Sequence, residues 1–191
     1  MMKIIVVRHG ETEGNVRRVV ESRTHGVLTP AGTAQAEAAG KLLHSEVIDA
    51  LYTSDLQRCI DTAEIIAQHH PELVLCRTVR LRERNQGIFE GGHWDDLPWL
   101  NFEGDYLAHP IPGGESWLDV EVRVGGFLND LVASHTEQTV LLVTHGGPIK
   151  AMRSLLGGMT LRQSVDERVL NGEIYRFEMD NPISRFTADV R

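Results

Sequence analysis

Two short stretches of the chain place a histidine in the same setting. Arg8-His9-Gly10 follows an apolar run over residues 3–7, and His145-Gly146-Gly147 follows another over residues 140–144. Arg58 and Glu83 lie between them in sequence. An imidazole can form covalent intermediates, phosphorus being one centre it can attack. Arg8 and Arg58 supply planar forks, each able to hold two phosphate oxygens. Such forks stabilise the charge spread over the equatorial oxygens of a phosphoryl group in transfer. His145 adds a second imidazole, and a helix opening at Gly146 adds backbone N–H groups suited to an anion. Transfer to water also needs an acid for the leaving group and a base for the incoming oxygen. Glu83, in Arg82-Glu83-Arg84, is the best candidate, since one carboxyl group can do both in turn.

These residues are far apart in sequence, so the fold must bring them together. The runs 3–7 and 140–144, and a weaker one at 50–53 followed by Ser54 and Asp55, are short and apolar without alternation. That pattern suits strands covered on both faces. Helices are expected between them. Thr29 and Pro30 read as N-cap and first residue of a helix over 31–44. Residues 55–69 carry Leu56, Cys59, Ile60, Ala63 and Ile66 at helical spacing. Further helices are expected over 115–134 and 148–156. The alternation predicts an α/β fold, a three-layer α/β/α sandwich with a mostly parallel central sheet. Polar residues beyond the C-terminal ends of such strands converge on one crevice, which would gather His9, Ser54, Asp55 and His145. Residues 87–112, rich in glycine and proline and holding Trp94 and Trp99, read as an insertion lid over that crevice. The whole of 1–191 reads as one domain.

Composition narrows the class. The chain has 191 residues and a net charge of −8, so its cations must be gathered locally to hold an anion. No basic run suggests nucleic acid. No stretch approaches the roughly 20 apolar residues that span a bilayer. The short apolar opening lacks the features of a signal peptide. Two cysteines, Cys59 and Cys76, form no disulfide framework, and a reduced cytoplasmic setting is the simple expectation.

Arg8-His9-Gly10-Glu11-Thr12-xx-Asn15 resembles the signature of the histidine phosphatase superfamily, also called phosphoglycerate mutase-like. Further blocks follow in family order: Leu28-Thr29-xx-Gly32-xx-Gln35-Ala36, Ser54-Asp55-Leu56-x-Arg58-xxx-Thr62-Ala63, Leu81-Arg82-Glu83, Pro112-Gly113-Gly114-Glu115-Ser116 and Val143-Thr144-His145-Gly146. The resemblance implies that His9 accepts the phosphoryl group, that Arg8, Arg58 and His145 complete the phosphate pocket, and that Glu83 donates the proton. It implies a side-chain contact from Asn15 to phosphate. It also implies no metal and no cofactor, so the nine histidines are not read as a zinc site. A small phosphorylated metabolite is the expected partner, and a homodimer is in keeping with related families.

The pattern departs from the family between Asn15 and the first long helix. Glu21 stands where a neutral residue is usual and Ser22 where glycine is usual, near the expected substrate. A carboxylate there would repel a second phosphate and favour a cationic or hydroxyl-rich group. Residues 81–91 resemble the phosphatase branch, which includes α-ribazole, sugar-phosphate and broad-specificity phosphatases. The mutase branch typically has a longer chain with an extra insertion. The alternatives are a phosphoglycerate mutase-type phosphotransferase, a phosphoprotein phosphatase, or a phospho-ligand-binding module. The remaining histidines, 25, 44, 69, 70, 93, 109 and 135, are expected mainly on the solvent side or in loops. Of these, His25 and His93 are the ones placed nearest the substrate mouth. Trp94, Trp99 and Phe102 serve either as a substrate wall or as packing within the insertion.

Overall fold

The computed structural model describes residues 1–97 and 105–186. Five strands form one sheet in the order β3-β2-β4-β1-β5: β1 (Met2–Arg8), β2 (Ala50–Ser54), β3 (Leu75–Thr78), β4 (Thr139–Thr144) and β5 (Ile174–Met179). β1, β2, β3 and β4 are mutually parallel, whereas β5 runs antiparallel beside β1. The two histidine-bearing strands are therefore neighbours, with Arg8 opposite Thr144.

The strands lack alternation because both sheet faces are covered. Ile4, Val6, Val140 and Leu142 pack under α4 (Trp117–Ser134) and α5 (Gly146–Leu155). Ile5, Val7, Leu141 and Val143 face α2 (Pro30–Leu43) and α3 (Gln57–Ala67). Two short helices, α1 (Glu13–Val16) and α6 (Leu161–Asp166), sit in the connections. Every central strand thus buries side chains on alternate sides, and the hydrophobic effect fixes the three layers.

Local signals explain the helix boundaries. Thr29 caps α2 by accepting from Gly32 N at 3.0 Å, with Pro30 as the first helical residue. Ser116 and Asp119 form a reciprocal capping box that starts α4. Leu56 precedes α3 without a side-chain cap, and His25 fills that role from another loop, its Nδ1 accepting from Gln57 N at 3.3 Å.

Three differences from the sequence expectations have physical reasons. β3 and β5 are edge strands; β3 has only four residues, and β5 alternates apolar and polar side chains, so neither reads as a doubly buried run. α3 starts at Gln57 rather than at residue 55, because Asp55 is held outside it by Arg82. His70 is buried rather than on the solvent side, its Nε2 lying 3.1 Å from Leu43 O. Trp99 and Phe102 lie outside the described residues.

Candidate active site

The sheet ends at its C-terminal side in a cluster of buried polar groups, which sequence alone would flag as costly unless paired. His9 follows β1 and is 2% exposed. Its backbone N donates to Thr144 O at 2.9 Å, tying it to the neighbouring strand. Its Nδ1 lies 2.8 Å from Gly10 O. A carbonyl only accepts, so Nδ1 carries the proton and the lone pair of the neutral ring lies on Nε2. Burial pushes the His9 pKa well below the ordinary histidine value, and the Arg58 and Arg8 charges add to this. The same causes, burial first and then Arg58, hold His145 well down as well. Both rings therefore sit neutral, their centroids 5.1 Å apart in an edge-on arrangement.

His145 follows β4 and serves as the N-cap residue of α5. Its Nε2 lies 2.9 Å from Ser54 Oγ and 3.3 Å from Cys59 Sγ, so the end of β2 and the first turn of α3 orient it. Burial pushes the Cys59 thiol pKa up, which keeps it protonated beside the imidazole.

Arg58 comes from the first turn of α3 and is 1% exposed. Its Nη1 donates to Thr24 O at 2.6 Å and its Nη2 to Ser22 O at 2.8 Å. Arg8 donates through Nη1 to Val169 O. Each guanidinium is thus gripped by backbone carbonyls, yet Arg8 Nε and Arg58 Nε are buried without a hydrogen-bond partner. A buried and a half-buried guanidinium, each with a buried unsatisfied N–H beside a neutral imidazole, form a site short of an anion.

Glu83 lies beyond the 3-10 turn Val79–Leu81. Its segment is fastened on three sides. Thr144 Oγ1 donates to Leu81 O at 2.7 Å, Arg123 Nη1 donates to Arg80 O and Arg82 O, and Arg82 pairs in parallel with Asp55. Glu83 Oε1 accepts from Arg84 N at 2.7 Å and from Gly147 N at 2.9 Å. A Cβ at residue 147 would come 2.2 Å from that oxygen, so glycine is required for the approach. A Cβ built on Gly146 would lie 3.8 Å from Glu83 Oε2 and 4.0 Å from Arg8 Nε. The free carboxylate oxygen, an unpartnered guanidinium N–H and the start of α5 therefore converge on one space.

The remaining predicted residues fall at its border. Asn15 sits at the third position of α1 and accepts from Thr12 N at 3.2 Å. Ser22 is buried with φ of 45°, and its Oγ accepts from Gln86 N at 2.9 Å. Glu21 accepts from Thr12 Oγ1 at 2.7 Å and lines a cavity of about 230 Å³ with Glu13, Thr24 and His25. His93 forms an isolated antiparallel bridge with Val19.

Sequence reading missed the loop that joins α6 to β5. Asn171 Nδ2 lies 3.0 Å from both His9 O and Asn15 Oδ1, and Gly172 N donates to Arg8 O at 3.1 Å. Its one sequence signal was the Asn171-Gly172 turn pair. Thr62, read in the sequence only as part of its block and given no role there, accepts from Gly10 N through Oγ1 at 3.1 Å.

Comparison with known proteins places this geometry. The profile of the histidine phosphatase superfamily (branch 1) matches residues 4–187. A Hydrogenobacter thermophilus protein named "Putative phosphoserine phosphatase 2" is 33% identical over 187 residues, covering 94% of this chain and 91% of its own. A 2,3-bisphosphoglycerate-dependent phosphoglycerate mutase of Brucella canis is 31% identical over 203 residues, covering 95% of each chain. The crystal structure of a phosphoserine phosphatase from Entamoeba histolytica, in complex with 3-phosphoglyceric acid, superposes with a TM-score of 0.80 at 26% identity. It covers 93% of this chain and 91% of that one.

Proposed function

The chain belongs to the histidine phosphatase superfamily, and on that premise we propose that it is a metal-independent phosphomonoesterase working through a phosphohistidine on His9. The observation that carries the reading is the pair of buried, unpartnered N–H groups on Arg8 and Arg58 flanking a histidine whose Nδ1 is already engaged. A phosphate dianion supplies what those donors lack.

His9 Nε2 attacks phosphorus while the equatorial oxygens are held by Arg8, Arg58, Asn15, His145 and the N–H groups at Gly146. Guanidinium charge and the α5 N-terminus stabilise the transition state without a metal. Glu83 gives its Oε2 proton to the leaving alcohol oxygen. A water then attacks the phosphohistidine, losing its proton to the same carboxylate, and His9 is released neutral. Fixing Oε1 on Gly147 N and Arg84 N leaves Oε2 as the atom that exchanges protons.

A small phosphomonoester is the substrate class. Glu21 at the border adds a negative charge that disfavours a second phosphate and suits a cationic or hydroxyl-bearing group. Ser22 contributes through its carbonyl, which holds Arg58. Phosphoserine, the compound in the names of two similar proteins, combines one phosphate with an ammonium and heads the panel to be tested.

The test uses p-nitrophenyl phosphate and a panel of serine, sugar, nucleoside and glycerate phosphates, all with EDTA, against wild type and His9→Ala. Turnover that survives EDTA and vanishes in the variant is the expected result. Loss of wild-type turnover to EDTA, or a variant that keeps pace, would falsify the reading. The Brucella mutase motivates one more arm: rapid 2-phosphoglycerate formation from 3-phosphoglycerate with 2,3-bisphosphoglycerate would make the protein a phosphotransferase.

A further inference from the structure

We infer that Asn171 is a positioning residue, which aims the side-chain amide of Asn15 at the phosphate; the inference rests on the phosphate pocket proposed above. Two backbone groups with no choice of role determine both amide orientations. Thr12 N–H can only donate, and it lies 3.2 Å from the oxygen of Asn15. His9 C=O can only accept, and it lies 3.0 Å from the nitrogen of Asn171. The remaining contact, Asn171 Nδ2 to Asn15 Oδ1 at 3.0 Å, is then donor to acceptor. Any flip of either amide sets like against like.

The consequence lies on Asn15. Its Oδ1 takes two hydrogen bonds, from Thr12 and Asn171, and among the described residues its Nδ2 takes none. Both N–H groups are left for an anion. The same Asn171 nitrogen touches the backbone of the nucleophile, so the distance between His9 and the Asn15 amide is set through one atom. Asn171 is held in turn by its own loop. Gly172, with φ of 71°, donates its N–H to Arg8 O, and Arg8 donates through Nη1 to Val169 O. The loop before β5 therefore braces Arg8, His9 and Asn15 from behind the phosphate pocket, and no Asn171 atom needs to touch substrate.

A double-mutant cycle separates this role from ordinary loop packing, since residues acting through one another are non-additive. Asn15→Ala, Asn171→Ala and the double variant are compared in two assays: kcat/KM on p-nitrophenyl phosphate, and orthovanadate affinity by calorimetry. Loss of a hydrogen bond to a charged group corresponds to roughly a tenfold effect. Asn171→Ala is expected to lose about that much in both assays, and the double variant to fall within about twofold of Asn15→Ala. Asn171→Asp keeps the shape but cannot donate, and is expected to behave like Asn171→Ala. If Asn171→Ala does not fold, Asn171→Asp completes the cycle. Effects that multiply in the double variant, or an Asp variant with wild-type values, overturn the inference. A wild type that binds vanadate with the expected coupling but shows no His9-dependent turnover sinks the phosphatase reading and keeps this one. A wild type that binds no vanadate overturns both.

Discussion

The pocket around His9 and the rim around Glu21 are built by opposite means. In the pocket, His9, Arg58 and His145 are nearly solvent-free, and each is tied to backbone or to a buried hydroxyl. At the rim, side chains pair with one another: Arg17 with Glu13 and Arg18 with Asp95 in water, and the half-buried Arg23 with Glu115, which Arg123 also holds. Exposed ion pairs are worth little, about 0–1 kcal/mol. Buried charges held by backbone cannot relax when a neighbour is changed. The pocket is therefore rigid and intolerant of substitution, whereas the rim can be substituted without disturbing it.

The largest effect that would test this contrast is at Arg58. Arg58→Lys keeps the charge but not the fork, leaving Ser22 O or Thr24 O without its donor and withdrawing the proposed contact to phosphate. Turnover on p-nitrophenyl phosphate should drop by about 10²–10³, as for loss of one donor to a developing anion. The melting temperature should fall too, by the equivalent of about 1–3 kcal/mol. A lysine variant with near wild-type turnover would mean that charge alone suffices and the pocket is looser than its hydrogen bonds indicate.

Gly147→Ala comes next. The new methyl would lie 2.2 Å from Glu83 Oε1 and 3.3 Å from Arg84 N, so the carboxylate must leave Gly147 N. If Glu83 is the proton-transfer group proposed above, displacing it should cut kcat by roughly 10–100-fold, less than deleting it outright. Because Glu83 is not one of the groups gripping phosphate, KM should change far less than kcat. Equal changes in the two would place Glu83 in binding rather than in proton transfer.

These two residues also mark how far the sequence could be read. Strand-to-histidine junctions, the Arg58 helix face and the order of blocks were legible because hydrophobic periodicity and short motifs act locally. Arg58's partners were not: Ser22 O and Thr24 O are backbone atoms 36 and 34 residues away, and no side-chain identity announces a carbonyl. Asn171 was missed for the same reason, its partners being 162 and 156 positions earlier. Edge strands β3 and β5 escaped because they are half covered. Ser22 was legible as a departure from glycine, but not as a residue that lives in the left-handed region.

A smaller effect follows from the two buried imidazoles. In the folded chain their pKa values are depressed, chiefly by burial, while the unfolded chain titrates at about 6.5. Above about pH 6.5 both states hold the rings neutral, and the full stability is present. As pH falls below that value the unfolded state takes up protons that the folded state refuses, so stability declines. Melting curves from pH 8 to pH 5 should show this loss, and His9→Asn should make it shallower. Histidine NMR should find the His9 and His145 rings still neutral at pH 6. A His9 signal moving through pH 6.5 would contradict the neutral ring on which the proposed nucleophile depends.

Ser22→Gly gives the smallest and most pointed comparison, because residue 22 is where rim and pocket meet. A side chain at φ of 45° carries a left-handed cost of about 1–2 kcal/mol, which glycine escapes. Against that, glycine loses the hydroxyl that accepts from Gln86 N and donates to Arg84 O at 3.3 Å, together worth about 1–2 kcal/mol, and adds freedom to the unfolded chain. The opposing terms nearly cancel, so the melting temperature should move by no more than a few degrees. The carbonyl that holds Arg58 stays in place, and turnover on p-nitrophenyl phosphate should remain within about twofold. If turnover instead falls tenfold with stability intact, the hydroxyl acts on substrate, and the boundary between the rigid pocket and the adaptable rim lies one residue further out than its hydrogen bonds place it.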